Sequence, residues 1–190
     1  MNAPDATPTM SRWRIAGWSA AAFLLLLPLL LMQVTDEVNW SVGDFIGAGV
    51  LMLGVGLPLE IAVRRSASAA YRWGAALALL TAFLLSWLSL GVGVIGADGD
   101  PANVLYAGVL AVGIAGAVVA RFEARGLYRT LLAVALAQGA VAVGAVLAGL
   151  GAPTSGPLQI VVLNGAFIAL WLGASALFRR AASASPSRLS

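Results

Sequence analysis

Long apolar runs separated by short polar punctuation dominate the chain. A helix needs roughly 20 apolar residues to cross a bilayer core about 30 Å thick. Six stretches qualify, over about 15–34, 44–63, 73–95, 104–120, 130–150 and 158–178. This pattern predicts an all-α fold, a polytopic membrane bundle of six transmembrane helices. The six-helix domain spans 15–178, between a cytoplasmic N-terminal tail at 1–14 and a disordered cytoplasmic C-terminal tail at 179–190. The first run, with Arg12 and Arg14 ahead of LLLLPLLLM, has the order of a secretory signal. Its apolar stretch is too long for one and no A-x-A site follows, so it is expected to stay as the first span.

Charge adds an orientation. Arginine and lysine are retained in cytoplasmic loops during insertion, whereas acidic residues matter little. Arg12 and Arg14 precede the first span; Arg64, Arg65 and Arg72 separate the second from the third; Arg121, Arg125 and Arg129 separate the fourth from the fifth; Arg179, Arg180 and Arg188 follow the sixth. The loops TDEVNWSVGD, ADGDPAN and GAPTSGP contain no positive charge. Both termini are therefore expected in the cytoplasm of a bacterial cell, with those loops outside the inner membrane. Trp and Tyr favour the headgroup level. Trp13, Tyr71, Trp73 and Tyr128 are expected at the cytoplasmic boundary, and Trp40 and Tyr106 at the outer one.

Composition narrows the chemistry. The chain has 190 residues, 61% hydrophobic and 10% charged, more apolar surface than a soluble core of this size could enclose. Its high pI of about 10.2 comes without a basic stripe along any helix, so nucleic acid is not an expected partner. The partner implied is the lipid bilayer, with other membrane proteins or a second copy as open alternatives. There is no cysteine and no histidine. Disulfides, thiolate chemistry, the usual haem and zinc ligand and the usual general base near neutral pH are thereby removed. No cofactor and no metal is implied.

Internal similarity suggests an architecture. YRWGAALALL at 71–80 is similar to YRTLLAVALA at 128–137, and AGVLMLG at 48–54 to AGVLAVG at 107–113. Three repeated helical hairpins are one reading, and coincidence among Ala, Gly, Leu and Val runs is the other. Small residues let helices approach in lipid. The candidate contact stripes are Gly43 and Gly47; Gly74, Ala78, Ala82 and Ser86; Gly108, Gly116 and Ala120; Ala140, Gly144 and Ala148; and Gly165, Ala169 and Gly173. The first span, rich in leucine and carrying Pro28, is expected at the lipid-facing periphery.

Candidate sites are few. GVGVIG at 91–96 matches G-x-G-x-x-G, but it ends a membrane span and lacks the strand and acidic residue that dinucleotide binding needs. A glycine-softened helix exit is the expectation. Glu60 is the one acidic residue inside a span, and an intramembrane carboxylate is a candidate for proton or cation coupling. Arg64 follows it by four residues, so an ion pair on one helix face is the competing reading. Gln138 and Asn164 lie deeper, as interhelical hydrogen-bonding groups or contacts to a transported solute. On the outer side, Asp36, Glu37, Asp44, Asp98, Asp100 and Asn103 offer oxygen ligands for a hard cation, although no EF-hand spacing occurs. The bland alternative is that DPAN is a turn in which Pro101 begins the fourth helix and Asp100 accepts its free amides.

NWSVGDF at 39–45, DPANVLY at 100–106 and ARFEARGLYRTLLAVALAQ at 120–138 resemble motifs of a family of small multi-pass integral membrane proteins of alpha- and gammaproteobacteria. The resemblance covers roughly the second to fifth helices. In that family the second outer loop is expected closer to acidic-asparagine-PAN, where this chain has Gly99 and Asp100. The resemblance implies membrane residence and brings no catalytic residues. No HExxH, catalytic triad or Walker loop occurs either, so the expected function is non-enzymatic, of an accessory, assembly or stress-related type. The alternative is a small ion or solute transporter with Glu60, Gln138 and Asn164 along its path.

Overall fold

The computed structural model describes residues 12–184, and every regular element within them is helical. In chain order these are α1 (Arg12–Leu31), α2 (Val42–Arg65), α3 (Ala69–Gly91), α4 (Leu105–Val119) entered through a 3-10 turn (Pro101–Val104), α5 (Ala124–Leu147) and α6 (Pro157–Ala184). Among the described residues six helices are long and apolar enough to cross a membrane, counting the 3-10 turn with α4. The chain is thus an all-α, multi-pass membrane protein, as its apolar runs predict.

The boundaries move where tertiary contacts decide them. The third helix stops at Gly91, four residues short of the predicted end, and Val94 and Ile95 are irregular backbone that is fully buried. The fifth starts at Ala124, so Arg125 and Arg129 belong to a helix and not to a loop. The sixth runs on to Ala184, well into the segment expected to be disordered, because Phe178 and Ala181 continue its buried face. Arg188, the tail segments 1–11 and 185–190, and the side chains of Arg12, Trp13 and Arg65 lie outside the described residues.

The chain divides inside α2, after Gly56. In the first unit α1 lies against α2, with the Trp18 indole over Gly56 and Leu25 facing Gly49. Side chains such as Phe23, Leu24 and Leu30 stay exposed, an apolar surface suited to lipid.

The second unit is organised on α6, which packs along both α5 and α3, while α4 packs on α5. Ile160, Asn164, Phe167, Trp171, Ala174, Phe178 and Ala181 are buried on α6, alternating three and four residues apart. Leu127, Leu131, Val134, Gln138, Ala142 and Ala145 form a similar face on α5. This is the spacing of a left-handed helix pair with interdigitating side chains. Tyr71 meets Phe178 edge-on with ring centres 5.1 Å apart. The two hairpins of this unit are packed unlike one another: α5 and α6 touch along their length, α3 and α4 only slightly.

The small-residue stripes are used in part. Gly74 lies against Leu177 and Phe178, Gly173 against Leu77, and Gly116 against Thr130, whereas Gly108, Gly144 and Gly165 face open space. On α5 the contact surface is the mixed Leu, Val, Gln and Ala face, and the Gly144 stripe turns away from it. A methyl group at Gly116 would stand 2.5 Å from Thr130 Cγ2 and 2.8 Å from its Oγ1. The stiff χ1 of a helical threonine gives it little room to yield. Gly116→Ala is therefore expected to cost about 1–2 kcal/mol after the gain in helix propensity. Gly144→Ala is expected to be neutral or to stabilise by up to about 1 kcal/mol. Unfolding of the purified protein by dodecyl sulfate in mixed micelles measures both.

Candidate functional site

Two polar groupings stand out in the second unit. The first joins three helices. Gln138 on α5 and Asn164 on α6 are fully buried, as is Tyr106 at the start of α4. Asn164 Oδ1 accepts from Gln138 Nε2 at 2.8 Å and from the Tyr106 hydroxyl at 3.1 Å, while Asn164 Nδ2 donates to the Ile160 carbonyl at 2.8 Å. Bonding to that carbonyl fixes which end of the Asn164 amide faces its partners. Gln138 Oε1, in contrast, has no partner among the described residues, and neither has Trp171 Nε1.

Gln138 and Asn164, expected as interhelical hydrogen-bonding groups or solute contacts, bond to each other. Tyr106, expected at the headgroup level, is 1% exposed, its side chain turned inward to Asn164. Its position at a helix start beside a polar loop gives the same sequence signal as an interfacial tyrosine. Glu60 does not join the group. It accepts a hydrogen bond from Arg64 Nη2, one turn further along α2, and it is not bonded to Gln138 or Asn164.

The second grouping is the loop from Val92 to Val104. Asn103 Oδ1 accepts from the amides of Val94 at 2.9 Å and Ile95 at 3.1 Å. Its Nδ2 lies within 3.0–3.3 Å of the carbonyls of Ile95, Ala97 and Asp100. One side chain thus takes up the backbone polarity that the end of α3 releases, which a buried loop otherwise cannot satisfy. Gly93 and Gly96 adopt φ of +86° and +73°. A methyl group at Gly96 would meet the Asp100 carboxylate, and one at Gly93 the Ala97 carbonyl. The glycines of GVGVIG therefore turn the chain back on itself, a more specific role than softening a helix exit. Ser155, from the loop between α5 and α6, accepts from Gly96 N at 3.1 Å and stands 3.2 Å from Gly96 O. Gly151 comes so close to Gly96 that a Cβ there would lie 2.7 Å from Gly96 N.

The acidic residues expected on the outer side are placed as follows. Asp100 caps the 3-10 turn, its Oδ1 accepting from Ala102 N at 2.8 Å, with Pro101 in the first position. This is the cap that DPAN suggests. Asp98 is exposed in the same loop. Asp44 and Ser41 form a reciprocal capping box: Asp44 Oδ2 accepts from Ser41 N and Oγ, each at 2.7 Å, and Ser41 Oγ accepts from Asp44 N at 3.3 Å. Asp36 and Glu37 are exposed in the turn after α1. Among the described residues no group of three or more His, Cys, Asp or Glu side chains is positioned to hold a metal ion. The Asn103 amide spends its capacity on backbone partners.

A groove of 320 Å³ runs between α5 and α6, walled by Gly139, Ala142, Val146, Val161, Asn164 and Ile168. Its lining is apolar apart from Asn164, whose amide is engaged inside. Ser155 was missed at the level of sequence because a serine in GAPTSGP reads as an ordinary loop residue. Comparison with family models, with curated proteins and with solved structures found no match.

Proposed function

We propose that this chain is a non-enzymatic inner-membrane protein of bacteria, acting in an accessory, assembly or stress-related role through its helices and outer loops, with both termini in the cytoplasm. The observation that supports this reading is that the interior carboxamides and Tyr106 bond to one another across three helices, leaving Gln138 Oε1 and Trp171 Nε1 as the interior polar atoms without a partner among the described residues. Tyr106, Gln138 and Asn164 bind among themselves and to backbone, which pins α4, α5 and α6 together. A carrier needs polar groups and broken helices facing a path near mid-membrane. Here Glu60 pairs with Arg64 on its own helix and stands apart from the hydrogen bonds of Gln138 and Asn164, which gives a transport path less support.

Flux measurements test the choice. Proteoliposomes holding the purified chain and a pH-sensitive dye are expected to pass protons and potassium no faster than protein-free vesicles. A flux above that background that Gln138→Leu abolished would establish the carrier instead. Topology has its own test, which rests on the retention of arginine at the cytoplasmic face. A reporter fused after Arg180 is expected to fluoresce as a cytoplasmic green protein and to be silent as a periplasmic phosphatase; the opposite pattern would reverse the orientation.

A further inference from the structure

The arginine-bearing end of the second unit carries charges that the chain leaves uncompensated. Arg125 stands in the first turn of α5, Arg129 one turn later, and Arg179 near the end of α6. All three are exposed, and among the described residues none forms a salt bridge. For α5 this is electrostatically awkward, because a helix N-terminus presents unpaired amides and the positive end of its dipole. Glu123 occupies the N-cap position, yet its side chain makes no capping hydrogen bond.

These guanidinium groups neighbour one tyrosine. Arg129 Nε donates to the Tyr128 hydroxyl at 3.2 Å, and its Cζ lies 5.7 Å from the centre of that ring. Arg125 lies one turn before Tyr128 on the same helix, and Arg179 stands on α6 one turn beyond Ser175. Tyr128 is itself held in place, since Ser175 Oγ of α6 donates to its carbonyl at 2.8 Å. The hydroxyl accepts from Arg129, and its own proton has no acceptor among the described residues.

From this geometry we infer that Arg125, Arg129, Arg179 and Tyr128 form a binding site for the phosphate of an anionic phospholipid. Guanidinium forks match phosphate oxygens in two-point hydrogen bonds, and the tyrosine adds a neutral donor beside them. The uncapped amides of α5 contribute to the same positive field. Inorganic phosphate shares this chemistry, but the site lies at the ends of two membrane spans, Ala124–Leu147 and Pro157–Ala184, where lipid headgroups are the abundant source. The competing view, that these arginines serve only as a diffuse charge at one membrane face, predicts that every arginine at this end counts equally.

Native mass spectrometry of the full chain in detergent, titrated with phosphatidylglycerol or phosphatidylcholine, separates the two. The wild type is expected to retain phosphatidylglycerol on the order of tenfold more strongly than phosphatidylcholine. Arg125→Gln with Arg179→Gln should remove most of that preference. Arg121→Gln with Arg180→Gln, which removes the same charge from the same end, should leave it within about twofold of wild type. Equal losses in the two double variants, equal retention of the two lipids, or displacement of phosphatidylglycerol by an equal concentration of inorganic phosphate would each overturn the assignment. Should the glutamine pair fail to fold, judged by helical circular dichroism, Arg125→Lys with Arg179→Lys keeps the charge without the fork. That pair is expected to lose part of the preference, and an unchanged preference would overturn the two-point contact.

Discussion

Replacing Asn103 with leucine is expected to cost about 3–5 kcal/mol, because two buried amides and the buried Ile95 carbonyl lose their partner at once and each stranded group costs about 1–3 kcal/mol where water cannot reach it. The amides are those of Val94 and Ile95, whose side chains are 0% exposed, so the loop cannot open to water without uncovering apolar surface. Asn103→Asp should rescue little. A carboxylate still accepts from both amides, but it donates nothing and sets a charge against the carbonyls of Ile95, Ala97 and Asp100. The readout is dodecyl sulfate unfolding in mixed micelles, together with proteolytic cleavage between Gly91 and Pro101. A leucine variant as stable and as resistant to protease as wild type would show that the loop is not held by this side chain.

The second large effect is an asymmetry. Asn164→Leu strands both the Tyr106 hydroxyl and Gln138 Nε2, while Gln138 Oε1 already lacks a partner. An expected loss of about 2–4 kcal/mol follows, well above the 0.6 kcal/mol or so typical of a single interhelical hydrogen bond in a membrane. Gln138→Met, similar in volume, gives up one hydrogen bond but also removes a buried, unsatisfied oxygen. Its effect should lie within about 1 kcal/mol of zero. Both variants are read by the same unfolding assay. If Gln138→Met proved the more damaging of the two, Asn164 would not be the hub that the geometry makes it.

These two sites differ in how far they could be anticipated. Gln138 and Asn164 announce themselves, since a carboxamide deep in an apolar run has few ways of being satisfied except by another helix. That they bond to each other could not be read from spacing, because the pairing depends on the relative rotation and height of α5 and α6. Asn103 was legible only as a polar residue among acids in an outer loop. Its true task appears once α3 has ended at Gly91 and the backbone of 93–97 has folded round it. Asp100 was anticipated correctly, because an N-cap ahead of a proline is local chemistry and needs no partner from elsewhere in the chain. Tyr106 is less local: its neighbours along the chain are those of an interfacial residue, and only the packing of α4 against α5, with the hydrogen bond to Asn164 of α6, turns it inward.

By itself the sequence determined the number of membrane-crossing helices and their approximate limits, because the length of an apolar run is matched against a bilayer thickness that does not depend on the fold. It determined the cap at Asp100 in the same way, that one being settled within a few residues. The tertiary structure alone decided which side of each helix is buried, which polar groups meet, and where irregular backbone can lie inside. Within lipid the apolar surfaces are nearly interchangeable, so helix rotation and contact are set by close packing and by a few hydrogen bonds such as those of Asn103 and Asn164.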